Sequence, residues 1–363
     1  MRILHVVGAR PNFKKAAPVI REMAGFPVSF KQLLLHTGQH YDPRMSQIFF
    51  EELDLPTPDV NLDVGSGSHV WQTTQIMMRF EPILLDFQPD WVIVYGDVNS
   101  TLACSLVSSK LNIGVAHVEA GLRSYDRSMP EEINRLVTDQ LSDLMFTPSE
   151  DANRNLEREG IGQDKIHLVG NVMIDTLVHL LPRAKNNLSR LAPLYSSDRY
   201  ILVTLHRPSN VDDPATLKEI MSALEMISIE IQVLFPVHPR TRERISKYGL
   251  QPKNPRLVIM EPLGYLDFLA LQTKSALVIT DSGGIQEETT FLGIPCLTAR
   301  SNTERPVTIS LGTNQLVEST SKALLTAVRS QLAAPPPERK VPPLWDGQAA
   351  QRIVQVFLQS DAT

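Results

Sequence analysis

The chain has 363 residues, 42% of them hydrophobic and 21% charged, with a formal net charge of -5 and a pI near 6.0. That length exceeds one comfortable core and predicts two domains, and the acidic balance argues against a nucleic-acid partner, which would call for a basic surplus or stripe. No apolar run reaches the roughly 18 to 20 residues that span a bilayer, so no membrane partner is expected.

The opening MRILHVVGAR carries one Arg, a short apolar stretch and then Gly8. It reads as a buried first strand rather than a signal peptide, and a cytoplasmic address follows. Cys104 and Cys296 lie far apart inside apolar segments, which suggests core positions and neither a disulfide framework nor a zinc site.

Apolar runs of strand length at 2–7, 32–36, 91–95, 113–118 and 144–147 alternate with helix-length stretches at 14–24, 68–87, 99–110 and 130–141. The alternation predicts βαβ units on a parallel sheet. A helix near 171–181 leads into the polar PRAKNNLSRLAPLYSSD, read as a linker, and a second alternating series has strands near 200–206, 231–237, 256–261, 276–280 and 295–298. The expected domains are 1–172 and 196–340. A Pro-rich segment, 333–343, precedes a last helix, 347–360, expected to cross back onto the first domain. In such folds ligands bind beyond the carboxyl ends of the strands, so an interdomain cleft is the expected site.

The first turn, VVGARPNFKK, has only Gly8 where a dinucleotide fold would have G-x-G-x-x-G, so no NAD is expected there and no cofactor is assigned. Arg10 and Lys15 put cations at the opening of the first helix, although each taken alone reads as a solvated surface charge. Asp97 and Glu119 end two strands of one sheet. Carboxylates converging in a cleft suit acid and base roles. Glu131, beside Glu132 in the first turn after Pro130, taken alone reads more as an ordinary helix-dipole partner than as a catalytic group.

His206 and His238 end two strands of the second domain with no metal-ligand spacing, and no metal is assigned. Phe268, Trp71, Met77 and Met78 sit at helical spacing and default to core, although Phe268 would also suit stacking on a base. In LVITDSGGIQEE a strand turns through Ser282, Gly283 and Gly284 into a helix N-terminus that presents free N–H groups to phosphate. Glu288, one turn further on, is placed to bind a ribose diol. Together these features describe a site for a nucleoside diphosphate compound, and the two-domain architecture points to a nucleotide-sugar.

The strings GARP with Lys15, TGQH, YGD, HVEAGLRS, PEEINR, GNVMIDTL, PVHPRT, TDSGGIQEE and NTERP, with the His-Arg pair at 206, run from residue 3 to about 320 in the order and spacing of one family, with a weaker echo in DGQAAQRI. The sequence resembles the non-hydrolysing UDP-N-acetylglucosamine 2-epimerases. That resemblance implies a GT-B type α/β fold, two Rossmann-like doubly wound domains with the site between them, and a homodimer. It implies interconversion of UDP-GlcNAc and UDP-ManNAc by elimination of UDP to 2-acetamidoglucal and re-addition. By the same resemblance Asp97, Glu119, Glu131 and His206 match acid and base positions. Arg10, Lys15, Arg135, His238, Phe268, Ser282, Gly283, Gly284, Glu288 and Arg305 match positions that hold UDP or its diphosphate. The chain departs from the common pattern after His206-Arg207, where Pro208, Ser209 and Asn210 follow. Competing readings are a sister epimerase of a modified UDP-sugar such as a diacetamido-uronate, a hydrolysing variant, a GT-B glycosyltransferase and a catalytically silent UDP-sugar sensor.

Overall fold

The computed structural model describes residues 1–39, 50–195, 199–335 and 339–360. It divides into one unit of Met1–His179 with Pro343–Thr363 and a second of Leu180–Pro342. His40, the last residue of the TGQH string, lies outside the described residues.

The first unit runs β1 (Arg2–Val7), α1 (Arg10–Ala24), β2 (Lys31–His36), β3 (Val60–Asn61), α2 (His69–Phe87), β4 (Trp91–Tyr95), α3 (Asn99–Lys110), β5 (Gly114–Val118), α4 (Pro130–Leu141), β6 (Leu144–Thr147), α5 (Glu150–Arg158), β7 (Ile166–Leu168) and the start of α6 (Val172–Asn186), whose residues from Leu180 on belong to the second unit. Its seven strands lie in the order β3-β2-β1-β4-β5-β6-β7, all parallel. A parallel sheet covered on both faces needs near-continuous apolar strands. Accordingly Leu4, Val6, Val92, Val94 and Val115 pack with Ile76, Phe80 and Leu84 of α2 and Ala103, Cys104 and Val107 of α3.

Helix α1 begins at Arg10, four residues before the expected start, because Pro11 in the first turn is pre-set for helix and loses no hydrogen bond there. Helix α2 is capped by Ser68, whose hydroxyl accepts from the Trp71 N–H at 3.2 Å. Two expected core residues of α2 are on the surface: Trp71 is 42% and Met78 64% exposed. The helix buries Gln72, Ile76, Phe80, Leu84 and Phe87, a stripe at spacings of three and four that leaves 71 and 78 on other faces.

The second unit continues through α7 (Leu188–Leu191), β8 (Tyr200–Thr204), α8 (Pro208–Val211), α9 (Pro214–Glu230), β9 (Gln232–Pro236), α10 (Pro239–Lys247), β10 (Leu257–Met260), α11 (Tyr265–Lys274), β11 (Leu277–Thr280), α12 (Gly283–Leu292), β12 (Cys296–Ala299), α13 (Val307–Ser310), β13 (Asn314–Val317) and α14 (Ser321–Ala333). Its six parallel strands are ordered β10-β9-β8-β11-β12-β13. Its core joins Ile201, Val203, Val233, Phe235 and Ile279 to the apolar faces of α9 and α14. Each sheet thus has the doubly wound order, reversing direction between β1 and β4 in one and between β8 and β11 in the other.

The final helix, α15 (Ala349–Ser360), belongs to the first unit. The Trp345 indole donates to the Pro148 carbonyl at 2.9 Å, and Phe357 packs against the rings of Trp91 and Phe146. The Asp175 carboxylate, from α6, accepts from the Ala349 and Ala350 N–H groups at 3.1 and 2.7 Å and so caps α15 from another helix.

Candidate active site

In each unit the chemistry-bearing residues follow the carboxyl ends of the strands at the reversal or next to it, where doubly wound sheets bind ligands. In the first unit β4 runs into Gly96 and Asp97, and β5 into Glu119. Gly96 has φ +64°, and a Cβ there would lie 2.4 Å from Lys15 Nζ. Only glycine satisfies both the backbone and the close approach. Lys15, on α1, thereby reaches Glu119 and pairs with its Oε2, each side chain only 5% exposed. Lys15 is therefore no solvated surface charge. Glu119 itself has φ +75°, a left-handed conformation costing roughly 1–2 kcal/mol for a residue with a Cβ. Hydrogen bonds from the Glu119 and Ala120 N–H groups to the Phe146 carbonyl, 3.0 and 3.1 Å, hold it there. Such strain concentrates at functional positions.

Asp97 Oδ2 is 2.5 Å from Arg135 Nη1, and the Asp97 side chain is 23% exposed. Arg135 is nearly buried and also binds Glu132 Oε2 at 2.5 Å. Glu132 further accepts from the Ser124 N–H and hydroxyl, both at 2.9 Å, and from the Tyr125 N–H at 2.8 Å. Burial alone would raise its pKa, but the Ser124 donors and the Arg135 guanidinium hold it below the usual carboxylate value. The two glutamates of PEEINR thus separate: Glu132 holds the loop and Arg135, while Glu131 stays half-buried in the first turn of α4.

Behind Asp97, the fully buried His117 has Nε2 2.8 Å from the Gly96 carbonyl and Nδ1 2.6 Å from Asp139 Oδ1. Asp139 is also paired with Arg123 at 2.7 Å. Burial pushes its pKa up, but His117 and Arg123 outweigh that and lower it. Arg10 is the first residue of α1, and its side chain lies outside the described part of the structure.

In the second unit β11 runs into Asp281 and Ser282, and α12 starts at Gly283. Its first-turn N–H groups lack intrahelical partners, as a phosphate cradle requires. A Cβ on Gly283 would lie 2.3 Å from Arg305 Nη1 and 2.8 Å from Glu304 Oε1, so this glycine lets an arginine–carboxylate cluster close over the turn. Arg305 pairs with Glu287 at 2.7 Å and with Glu304, and Glu304 pairs with Arg300 at 2.8 Å. Burial would raise the Glu304 pKa, but Arg305 and Arg300 drive it far below the usual carboxylate range. The acidic start of α12 is thus internal: Glu287 is held by Arg305, and buried Glu288 accepts from the Tyr265 hydroxyl at 3.1 Å.

His206 follows β8, with its side chain 51% exposed and Nδ1 3.2 Å from Asp281 Oδ1. His238 caps α10, its Nδ1 accepting from the Arg240 N–H at 3.3 Å. Phe268 is half-buried in the first turn of α11.

Sequence reasoning missed Asp281, Glu287, Glu304 and Asn210. Asp281 ends a strand as Asp97 does, so the same criterion would have found it. Nothing in the sequence alone separates the Glu304 cluster from surface charge.

Two doubly wound units, one with paired strand-end carboxylates and the other with a glycine turn under an arginine cluster, define a nucleotide-sugar enzyme of the GT-B type. The model for the UDP-N-acetylglucosamine 2-epimerase family matches residues 26–358, and the chain belongs to that family. It is 44% identical to the UDP-N-acetylglucosamine 2-epimerase of Methanocaldococcus jannaschii, over 98% of this chain and 99% of that one. It is also 43% identical to the UDP-2,3-diacetamido-2,3-dideoxy-D-glucuronate 2-epimerase of Pseudomonas aeruginosa, over 92% of this chain and 92% of that one. The crystal structure of the M. jannaschii UDP-GlcNAc 2-epimerase in complex with UDP-GlcNAc and UDP superposes with a TM-score of 0.91 at 42% identity, covering 99% of this chain and 100% of that one.

Proposed function

We propose that this chain interconverts UDP-N-acetylglucosamine and UDP-N-acetylmannosamine. The C2 hydrogen of the sugar is not adjacent to a carbonyl, so simple proton exchange would pass through an unstabilised carbanion. Elimination avoids it: the C2–H proton goes to a base as the C1–O bond breaks with its electrons, giving 2-acetamidoglucal and UDP. Addition of UDP at C1 with protonation of C2 from the other face returns the epimer. The observation that carries this reading is the strand-end pair Asp97 and Glu119, each held by a buried cation, in a member of this family.

In this account Asp97, Glu119, Glu131 and His206 form the acid–base set. Arg10, Lys15, Arg135, His238, Ser282, Gly283, Gly284 and Arg305 hold the nucleotide and steady the departing diphosphate, with Lys15 and Arg135 acting partly through Glu119 and Asp97. Phe268 stacks on the base and Glu288 binds the ribose diol. Asp97→Asn and Glu119→Gln should each lower turnover at least about a hundredfold while leaving UDP affinity within roughly threefold. Isothermal titration and a coupled assay read both, and wild-type turnover in both variants would overturn the assignment.

The similarity to the diacetamido-glucuronate enzyme favours one second reading, the same chemistry on that modified UDP-sugar. Activity on the uronate and none on UDP-GlcNAc would select it. Among the described residues no helix is long and apolar enough to cross a membrane, and we place the enzyme in the cytoplasm with its nucleotide-sugar supply. The exposed Val70, Trp71, Met78 and Leu85 of α2 support a homodimer. Light scattering should give twice 40.5 kDa, and a monomer would contradict it.

A further inference from the structure

The carboxylate of Asp281 is fully buried at the reversal between β8 and β11. It accepts from the His206 N–H at 3.0 Å, the Arg207 N–H at 2.9 Å and the Asn210 amide at 3.0 Å. The Asn210 amide orientation is fixed, because its Nδ2 also reaches the Ala299 carbonyl at 3.0 Å, which can only accept. Pro208 opens the short helix α8 that delivers Asn210, so the unusual residues after Arg207 serve this anchor. These donors hold one carboxylate in one orientation, with Oδ1 3.2 Å from His206 Nδ1.

A carboxylate accepts and does not donate, so a neutral imidazole beside it favours its one proton on the nearer nitrogen, here Nδ1. We propose that Asp281 is a positioning residue that fixes His206 as the Nδ1–H tautomer and turns the Nε2 lone pair outward, where it accepts a hydrogen bond from a hydroxyl or amide N–H of the bound sugar nucleotide. The main chain of Asp281 continues directly into Ser282, Gly283 and Gly284. One residue therefore sets both the imidazole and the start of the phosphate cradle. The proposal deepens, and rests on, the reading of His206 as part of the acid–base set.

The test is long-range 1H–15N correlation of the full chain with 15N-labelled histidine at about pH 8, where an ordinary imidazole is neutral. The His206 signals are identified by their loss in His206→Asn. Wild type should show Nδ1–H, and Asp281→Asn should shift the ring toward Nε2–H. An Nε2–H ring in wild type overturns the proposal, and this readout needs no Asp281 variant to fold. In the kinetic arm, Asp281→Asn should lower kcat about 10- to 100-fold, with UDP affinity within roughly threefold, and add less than about threefold in the His206→Asn background. An equal loss in both backgrounds would reduce Asp281 to a structural anchor and overturn the proposal. Wild-type turnover in His206→Asn would instead overturn the reading of His206 on which it rests.

Discussion

Lys15 and Glu119 stand 104 residues apart in the chain and form an ion pair with each side chain only 5% exposed. The pair exists because Gly96 leaves room for the ammonium and because Glu119 takes a left-handed backbone. Removing one partner of a buried pair costs about 3–5 kcal/mol, since it leaves an uncompensated charge. Lys15→Met should therefore destabilise the protein by that order, and Lys15→Met combined with Glu119→Gln should recover more than half of the loss. Urea unfolding measures both, and a Lys15→Met protein as stable as wild type would contradict the pairing.

His5 and Asp175 predict opposite pH dependences in one window. Burial in the sheet, opposed in part by Gln32, drives the His5 pKa down to about 4. The stability it contributes is present above about pH 6.5 and is lost as pH falls to about 4. Burial drives the Asp175 pKa up to about 6, against the donors Ala350 and Ala349. Its contribution is fully present below about pH 3.8 and is lost as pH rises through about 6. At about 1.4 kcal/mol per pH unit each effect is roughly 3 kcal/mol, so the two nearly offset in the wild type. Relative to wild type, His5→Gln should gain stability as pH falls from about 6.5 to 4, and Asp175→Asn should lose it. Denaturant titrations at several pH values read the two slopes, and slopes of the same sign would refute the assignment.

Gly283→Ala tests the arginine cluster over the glycine turn. The added methyl group would meet Arg305 Nη1 at 2.3 Å, and Arg305 cannot simply swing away because Glu287 and Glu304 hold it. UDP affinity should fall at least about tenfold, by more than 1.4 kcal/mol, and the clash inside a buried cluster should lower the unfolding temperature as well. Affinity within twofold of wild type would show that the cluster does not face the nucleotide.

Much of the fold is legible in sequence because buried parallel strands write continuous apolar runs: RILHVV, WVIVY and LVIT are read directly as β1, β4 and β11. The short β3 and β7 escape, since two or three residues leave no periodicity. The candidate site is legible where a strand ends in a titratable residue, as at Asp97, Glu119 and His206. It is illegible where charges meet through the fold. Nothing near Lys15 announces Glu119, and the grouping of Arg300, Glu304 and Arg305 around Gly283 depends on how the 300–306 segment returns over α12. Trp71 and Met78 fail for the complementary reason, since an amphipathic helix buries one stripe and composition alone does not say which residues fall outside it.

The proposed epimerisation cleaves and re-forms the C2–H bond without net loss of the sugar nucleotide. Proton NMR of the purified protein with UDP-GlcNAc in D2O tests it most directly. Loss of the C2 hydrogen signal, deuterium at C2 and a new anomeric signal from UDP-ManNAc are expected. Epimer formed with the C2 hydrogen retained, or UDP and free ManNAc as the only products, would contradict it.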